Sequence, residues 1–137
     1  MTILYKICFN ESRNHRVFTN NISDIVKACL LSLVKQISLE DNIVFFLDGE
    51  DQENVIRDIC TEYSVNYKIY SFNHSCAAKI NNECILYIIN NIEDKNEIIY
   101  LCEDDYLHYN NCLQHINCLL YTSPSPRDQR GSGLEWC

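Results

Sequence analysis

The chain reads as an α/β protein, a three-layer α/β/α arrangement on a mainly parallel sheet. Strand-like and helix-like segments alternate in the order β-α-β-α-β-α-β along residues 3–117, the pattern that builds a parallel sheet with helices on both faces. Most of the strand-like runs are apolar without interruption, as expected of strands covered on both sides. The polar junctions follow the strands, so right-handed crossovers would gather them on one edge of the sheet.

Each element has its own signal. Ile3 to Phe9 is a first strand. Ile22, Ile25, Val26, Cys29, Leu33 and Ile37 recur at helical spacing and predict an amphipathic helix from about 21 to 37, with Asn21 and Asp24 as its capping pair. Asn42 to Leu47 is a second, apolar strand that ends at Asp48-Gly49. Val55, Ile56, Ile59, Cys60 and Tyr63 mark a second helix. Val65 to Phe72 alternates with period two and reads as a third strand. Ala77, Ile80, Cys84, Tyr87 and Ile88 mark a third helix, Glu97 to Cys102 a fourth strand, and a fourth helix is expected near Tyr109.

At 137 residues the chain has room for one domain with a real core. Its formal charge of −8 argues against nucleic acid or an anionic membrane as the main partner. No apolar stretch approaches the roughly 20 residues that span a bilayer, and the start, MTILYKICFNESR, turns polar too soon for a signal peptide. A cytoplasmic location is the default expectation. Nine cysteines are present, without a C-x-x-C pair. Cys8, Cys29, Cys60, Cys76, Cys84, Cys102 and Cys112 fall inside apolar patterns, so reduced thiols acting as small hydrophobes are expected rather than a disulfide framework or a zinc site.

Composition changes near residue 118. Residues 1–117 hold one glycine, Gly49, and no proline, whereas the last twenty hold Pro124, Pro126, Gly131, Gly133 and the single tryptophan, Trp136. The string CLLYTSPSPRD, Cys118 to Asp128, resembles a translated frame of a transposase-type sequencing adapter. The expectation is a domain at 1–117 that is the front part of a longer one, and a non-native or disordered tail at 118–137. The alternative for the tail is an ordinary Ser/Pro linker.

Glu103-Asp104-Asp105 is the most specific constellation, three acids directly after a buried strand. Adjacent carboxylates repel unless something positive sits among them, and a divalent cation carrying a phosphate-bearing ligand is the expected partner. If the segment stays extended, Glu103 and Asp105 share one direction and Asp104 points away. The competing explanation is a solvated acidic turn. Asp48-Gly49-Glu50-Asp51 could accept hydrogen bonds from a ribose or base, or could simply be a helix N-terminal turn. Asn10-Glu11-Ser12-Arg13 follows the first strand and is either a ligand loop or a plain polar one. His108 lies three residues past Asp105 and could approach a metal, but is better expected as a partly exposed residue at a helix start. His15, His74 and His115 have no partner at a readable spacing. The chain has no G-x-G-x-x-G, Walker or G-x-S-x-G sequence.

Taken together these segments resemble the donor-binding half of a GT-A glycosyltransferase of the family-2-like group. The likeness is carried by CFNESR with the helix IVKACLLSLVKQI, by IVFFLDGEDQE, and by NHSCAAKINNECILYI leading to YLCEDDYLH. It implies a nucleotide-diphospho-sugar donor held through Mn²⁺ or Mg²⁺ by a D-x-D-type motif. Carried over by position, Glu103 and Asp105 would hold the metal and Asp104 would belong to the same motif. Asp48 would contact base or ribose, Asn10 and Glu11 would be looser nucleotide contacts, and Asn81 resembles an asparagine often found on the third helix. Glu103 stands where the family's motif begins with Asp. The implied reaction is displacement of the nucleoside diphosphate by an acceptor hydroxyl of a glycan, lipid or protein. The general base would come from beyond the acidic motif, so this chain is expected to bind donor without transferring sugar. A non-catalytic nucleotide- or metal-binding α/β module is the alternative. A phospho-receiver domain would want an acidic pair after the first strand, where Asn10-Glu11 stands.

Overall fold

The computed structural model describes residues 1–8, 22–49, 53–73 and 77–122. Within them lie strands β1 (Thr2–Cys8), β2 (Asn42–Asp48), β3 (Tyr67–Phe72) and β4 (Ile99–Glu103), and helices α1 (Ile22–Val34), α2 (Glu53–Glu62), α3 (Ala77–Asn91) and α4 (Cys112–Thr122). The strands form one parallel sheet in the order β3-β2-β1-β4, so the α/β class and the parallel sheet are as the sequence predicts.

Strand order decides which face each helix takes. The path steps from β1 to β2 to β3 in one direction, then jumps back across to β4. Right-handed crossovers must then put α1 and α2 on one face and α3 on the other. On the first face Val26, Leu30, Leu33 and Val34 of α1, Ile56, Ile59 and Cys60 of α2, and Leu113 of α4 pack on Ile3, Tyr5, Ile7, Ile43, Phe45, Leu47 and Cys102. On the second face Ile80 and Cys84 of α3 pack on Leu4, Val44 and Phe46. Alternation along β1 and β2 therefore sends odd-numbered residues to the larger core and even-numbered ones to the α3 side. β1 and β2 are buried through both faces, which is why their sequences lack alternation. α3 lies mainly over β2 and β1; Ile99 of β4 packs against the same cluster, while Leu101 of β4 and Ile85 and Ile89 of α3 are exposed.

Several predicted boundaries shift for local reasons. α1 stops at Val34 rather than near 37 because its end tightens: Gln36 N–H donates to the Leu33 carbonyl and Ile37 N–H to that of Val34, both three residues back. β3 starts at Tyr67 rather than Val65 because the Val65 N–H is already used. It donates to the Cys60 carbonyl at 2.9 Å while Ser64 N–H donates to that of Thr61, the paired bonds that close a helix on a left-handed residue. That residue is Ser64, at φ 53°. β4 starts at Ile99 because Glu97 closes a turn onto the Asp94 carbonyl. α4 begins at Cys112, not near Tyr109, and runs through Cys118 to Thr122, across the composition boundary.

At the amino edge of the sheet the Met1 ammonium lies 3.2 Å from Asp41 and 3.6 Å from Glu97, joining the starts of β1, β2 and β4. Thr2 Oγ1 donates to Glu97 Oε1 at 2.8 Å. The Asp41 carboxylate also accepts from the Ser38 backbone N–H and hydroxyl. Partial burial works against its ionised form, but the Ser38 hydrogen bonds and the ammonium outweigh it and hold the carboxyl below its ordinary range.

Candidate functional site

All four strands run the same way, so their carboxyl ends share one edge. β1 lies between β2 and β4 in that sheet, and the path reverses there. Open α/β sheets hold their ligands outside the carboxyl ends at such a reversal. The described residues of this edge are Asp48 and Gly49 after β2, Asn73 after β3, Glu103 to Asp105 after β4, and the first turn of α3. Asn10, Glu11, Glu50 and Asp51, which sequence reasoning placed here, lie outside the described residues.

Lys6 is the centre of this edge, and sequence reasoning passed over it. It is the one cation in TILYKIC and sits on the central strand with only 7 % of its surface exposed. Its register partner on β4 is Glu103. The Lys6 ammonium donates to Glu103 Oε1 at 2.7 Å and to Asn81 Oδ1 at 2.6 Å. Two residues assigned to the site by resemblance, Asn81 and Glu103, are thus joined through a third. A signal for it existed. A lysine inside a strand otherwise apolar on both faces must find a counter-charge, because an unpaired buried ammonium costs several kcal/mol, and the nearest unexplained charge was the acidic triplet.

The triplet itself differs from its expected shape. β4 ends at Glu103, and Tyr106 N–H returns to the Glu103 carbonyl at 3.3 Å, so Asp104 and Asp105 occupy a turn rather than an extended segment. Alternation ends with the strand. Glu103 is half-exposed beside Lys6, Asp104 is buried, and Asp105 is exposed. Within the triplet, Glu103 has a positive partner in Lys6.

No family model matches the chain, and neither a curated protein nor a solved structure matches it.

Asp48 closes β2, half-buried and in register with Cys8 of β1 and Phe72 of β3. Gly49 follows at φ 114°, and its N–H donates to the Phe72 carbonyl at 2.9 Å. That left-handed backbone is open to glycine and strained for other residues, so the body's single glycine is where the chain must turn off the sheet. β1 separates β2 from β4, placing their backbones about 10 Å apart at ordinary strand spacing. Asp48 pairs with Cys8 and Glu103 with Lys6, so Asp48 also stands two residues further along. Both side chains rise from the α3 face. Metal–oxygen bonds are about 2.0–2.6 Å, so this spacing suits the two ends of an elongated ligand and not one shared ion.

Whether the acids could hold a metal follows from their donors. Among the described residues no group of three or more His, Cys, Asp or Glu side chains is placed to hold an ion. One oxygen of Glu103 is taken by Lys6, and Asp105 is the exposed carboxylate. That set fits a cation that arrives on a diphosphate, as Mg²⁺ does when it keeps one or two carboxylates plus phosphate oxygens. It does not make a cage of protein donors.

His108 is not the partly exposed helix-start residue expected. It is buried, precedes α4, and its ring Nε2 meets the Tyr100 hydroxyl at 2.9 Å while its backbone N–H donates to Ser32 Oγ at 2.9 Å. Burial pushes its imidazole below the ordinary value, against a smaller opposite pull from the Tyr106 carbonyl. Tyr5 is fully buried on the same side. Burial first, then the neighbouring Cys102, Cys29, Asp104 and Asp105, push its phenol far up and keep it protonated. Among the described residues no helix is long and apolar enough to cross a membrane.

Proposed function

We propose that residues 1–117 are the donor-binding half of a glycosyltransferase and take a nucleotide-diphospho-sugar along the carboxyl edge of the sheet. What supports this is one arrangement: acids at the ends of β2 and β4, separated by the central strand at the reversal of strand order. Asp48 would accept hydrogen bonds from the ribose or base. The diphosphate would lie across the end of β1 toward Asp105, accompanied by Mn²⁺ or Mg²⁺. When bound, that ion would neutralise charge on the departing diphosphate. Lys6, itself held by Asn81, would hold Glu103 in place beneath it, with the other Glu103 oxygen facing a donor hydroxyl. The parent protein would transfer the sugar to an acceptor hydroxyl.

Titration calorimetry of the full chain with UDP- and GDP-sugars, with and without Mn²⁺, tests the proposal. Metal-dependent binding that weakens about tenfold or more in Asp48→Asn and in Asp105→Asn is expected, the scale of one lost charged hydrogen bond. Binding indifferent to the metal would favour a non-catalytic nucleotide-binding module, and no binding to any donor would remove the proposal.

A further inference from the structure

We propose that Lys6 is the resident cation of this edge: held by Asn81, its ammonium occupies Glu103 and withholds it from divalent metal. Asp105 is then the carboxylate left to meet such an ion. The proposal deepens the donor-site reading and relies on it only for its biological consequence, because the site's affinity for the bare ion carries the test.

Geometry and burial carry it together. Lys6 is held on the α3 face by two short bonds, one to each neighbour, and has little exposed surface. Glu103 is its anionic partner at 2.7 Å, while Asn81 contributes a neutral oxygen. For a metal to take Glu103, two cations would have to share one carboxylate a few ångströms apart, or the ammonium would have to remain buried with its charge uncompensated. The first is opposed by direct repulsion and the second by desolvation. A lysine on the central strand therefore does locally what the sequence pattern assigned to a metal: it neutralises the first acid of the triplet. It also orients that acid, since Glu103 is fixed from one side by an ammonium that Asn81 keeps from swinging away. Lys6 is thus a positioning residue, and its removal should create metal affinity where a mere structural lysine would not.

The test uses Mn²⁺ alone, followed by electron paramagnetic resonance of the free ion, on the full chain. Lys6→Met should bind Mn²⁺ about tenfold tighter than the wild type, the effect of removing one opposing charge at a partly solvated site. Lys6→Met combined with Glu103→Gln should lose that gain. Circular dichroism establishes that each variant is folded. Lys6→Met no tighter than wild type, or a gain that survives Glu103→Gln, would overturn the proposal. Absence of nucleotide-sugar binding would remove the donor reading while leaving this result to stand by itself.

Discussion

The Tyr100 hydroxyl and His108 Nε2 meet at 2.9 Å with their rings nearly perpendicular, at 88°, and so tie β4 to the segment that leads into α4. The contact bridges the turn that carries Asp104 and Asp105. Burial raises Tyr100 to about 12 and lowers His108, so at neutral pH the pair is a neutral phenol against a neutral imidazole. The residues that present the acids are held from below by groups that do not change charge near pH 7.

That neutrality has a sign. His108 titrates below its ordinary value of 6.5 in the fold, so the unfolded chain binds the proton more readily. Its contribution to stability is complete above pH 6.5 and is lost progressively as pH falls from there toward the folded-state value. Urea unfolding between pH 7.5 and 5 should show this fall, and His108→Gln should flatten it. An equally steep fall in that variant would assign the effect elsewhere. At pH 7.5, His108→Ala should cost about 1–3 kcal/mol through the partner it leaves behind.

Asp41 acts the same way in a more acidic window. Its folded value lies below the ordinary 3.8, so its stabilisation is present above that pH and disappears as pH falls through the folded value. Asp41→Asn should lower stability by about 1 kcal/mol at pH 7 and should unfold less steeply than the wild type below pH 4. Parallel acid-unfolding curves for the two proteins would contradict the role given to Ser38 and the Met1 ammonium.

Gly49→Ala separates backbone strain from crowding. Nothing lies within 4 Å of the position a Cβ would take, and φ is 114°. The whole penalty should therefore come from the backbone, about 1–2 kcal/mol. The urea midpoint should fall without a change in m value. An unchanged midpoint would mean the turn after β2 relaxes freely.

Thiol labelling reads the cysteine assignment. Burial pushes Cys60 up to about 12 and raises Cys102 as well, with Lys6 opposing only in part. Cys118 is exposed. Mapping iodoacetamide adducts by mass spectrometry should find Cys118 labelled in the native protein, and Cys29, Cys60, Cys84 and Cys102 labelled only in denaturant. Early labelling of Cys102 would mean that β4 detaches readily from β1.

Phe45 measures the larger core. It is fully buried and packs against Tyr5 at 5.6 Å and Tyr67 at 6.4 Å between ring centres. Phe45→Ala should cost about 3–5 kcal/mol in denaturant unfolding, and a loss below 1 kcal/mol would place the core elsewhere.

Element type was legible because period and apolar run length are local properties. Strand order was less so. Nothing within NIVFFLD or IIYLCE says which flank of β1 each will take, since both are apolar on two faces. Boundaries moved where a single N–H had a prior use, as at Val65. At the carboxyl edge, Glu103 and Asp48 could be placed because acids after apolar strands stand out in a string of letters. Lys6 could not be matched to Glu103 without register, although its place inside an apolar strand marked it as a charge in need of a partner. The buried state of His108 was hidden for the same reason. Its contacts, Ser32 and Tyr100, come from a helix and a strand whose juxtaposition is a tertiary fact.

The central position of β1 also orders events during synthesis. Its residues are translated before those of the other three strands, yet Lys6 and Glu103 are 97 residues apart in the chain. β1 can pair with β2 as soon as residues 42–48 emerge, but its other edge stays bare until β4 arrives. Through that interval a lysine destined for burial has no carboxylate across from it, and so stays hydrated. Closure of the sheet, burial of the ammonium and assembly of the sheet's carboxyl edge therefore coincide in one late step. Long-range parallel pairing is intrinsically slow. Substitutions in β4 should consequently show in the refolding rate of the whole domain before they show in any property of that edge.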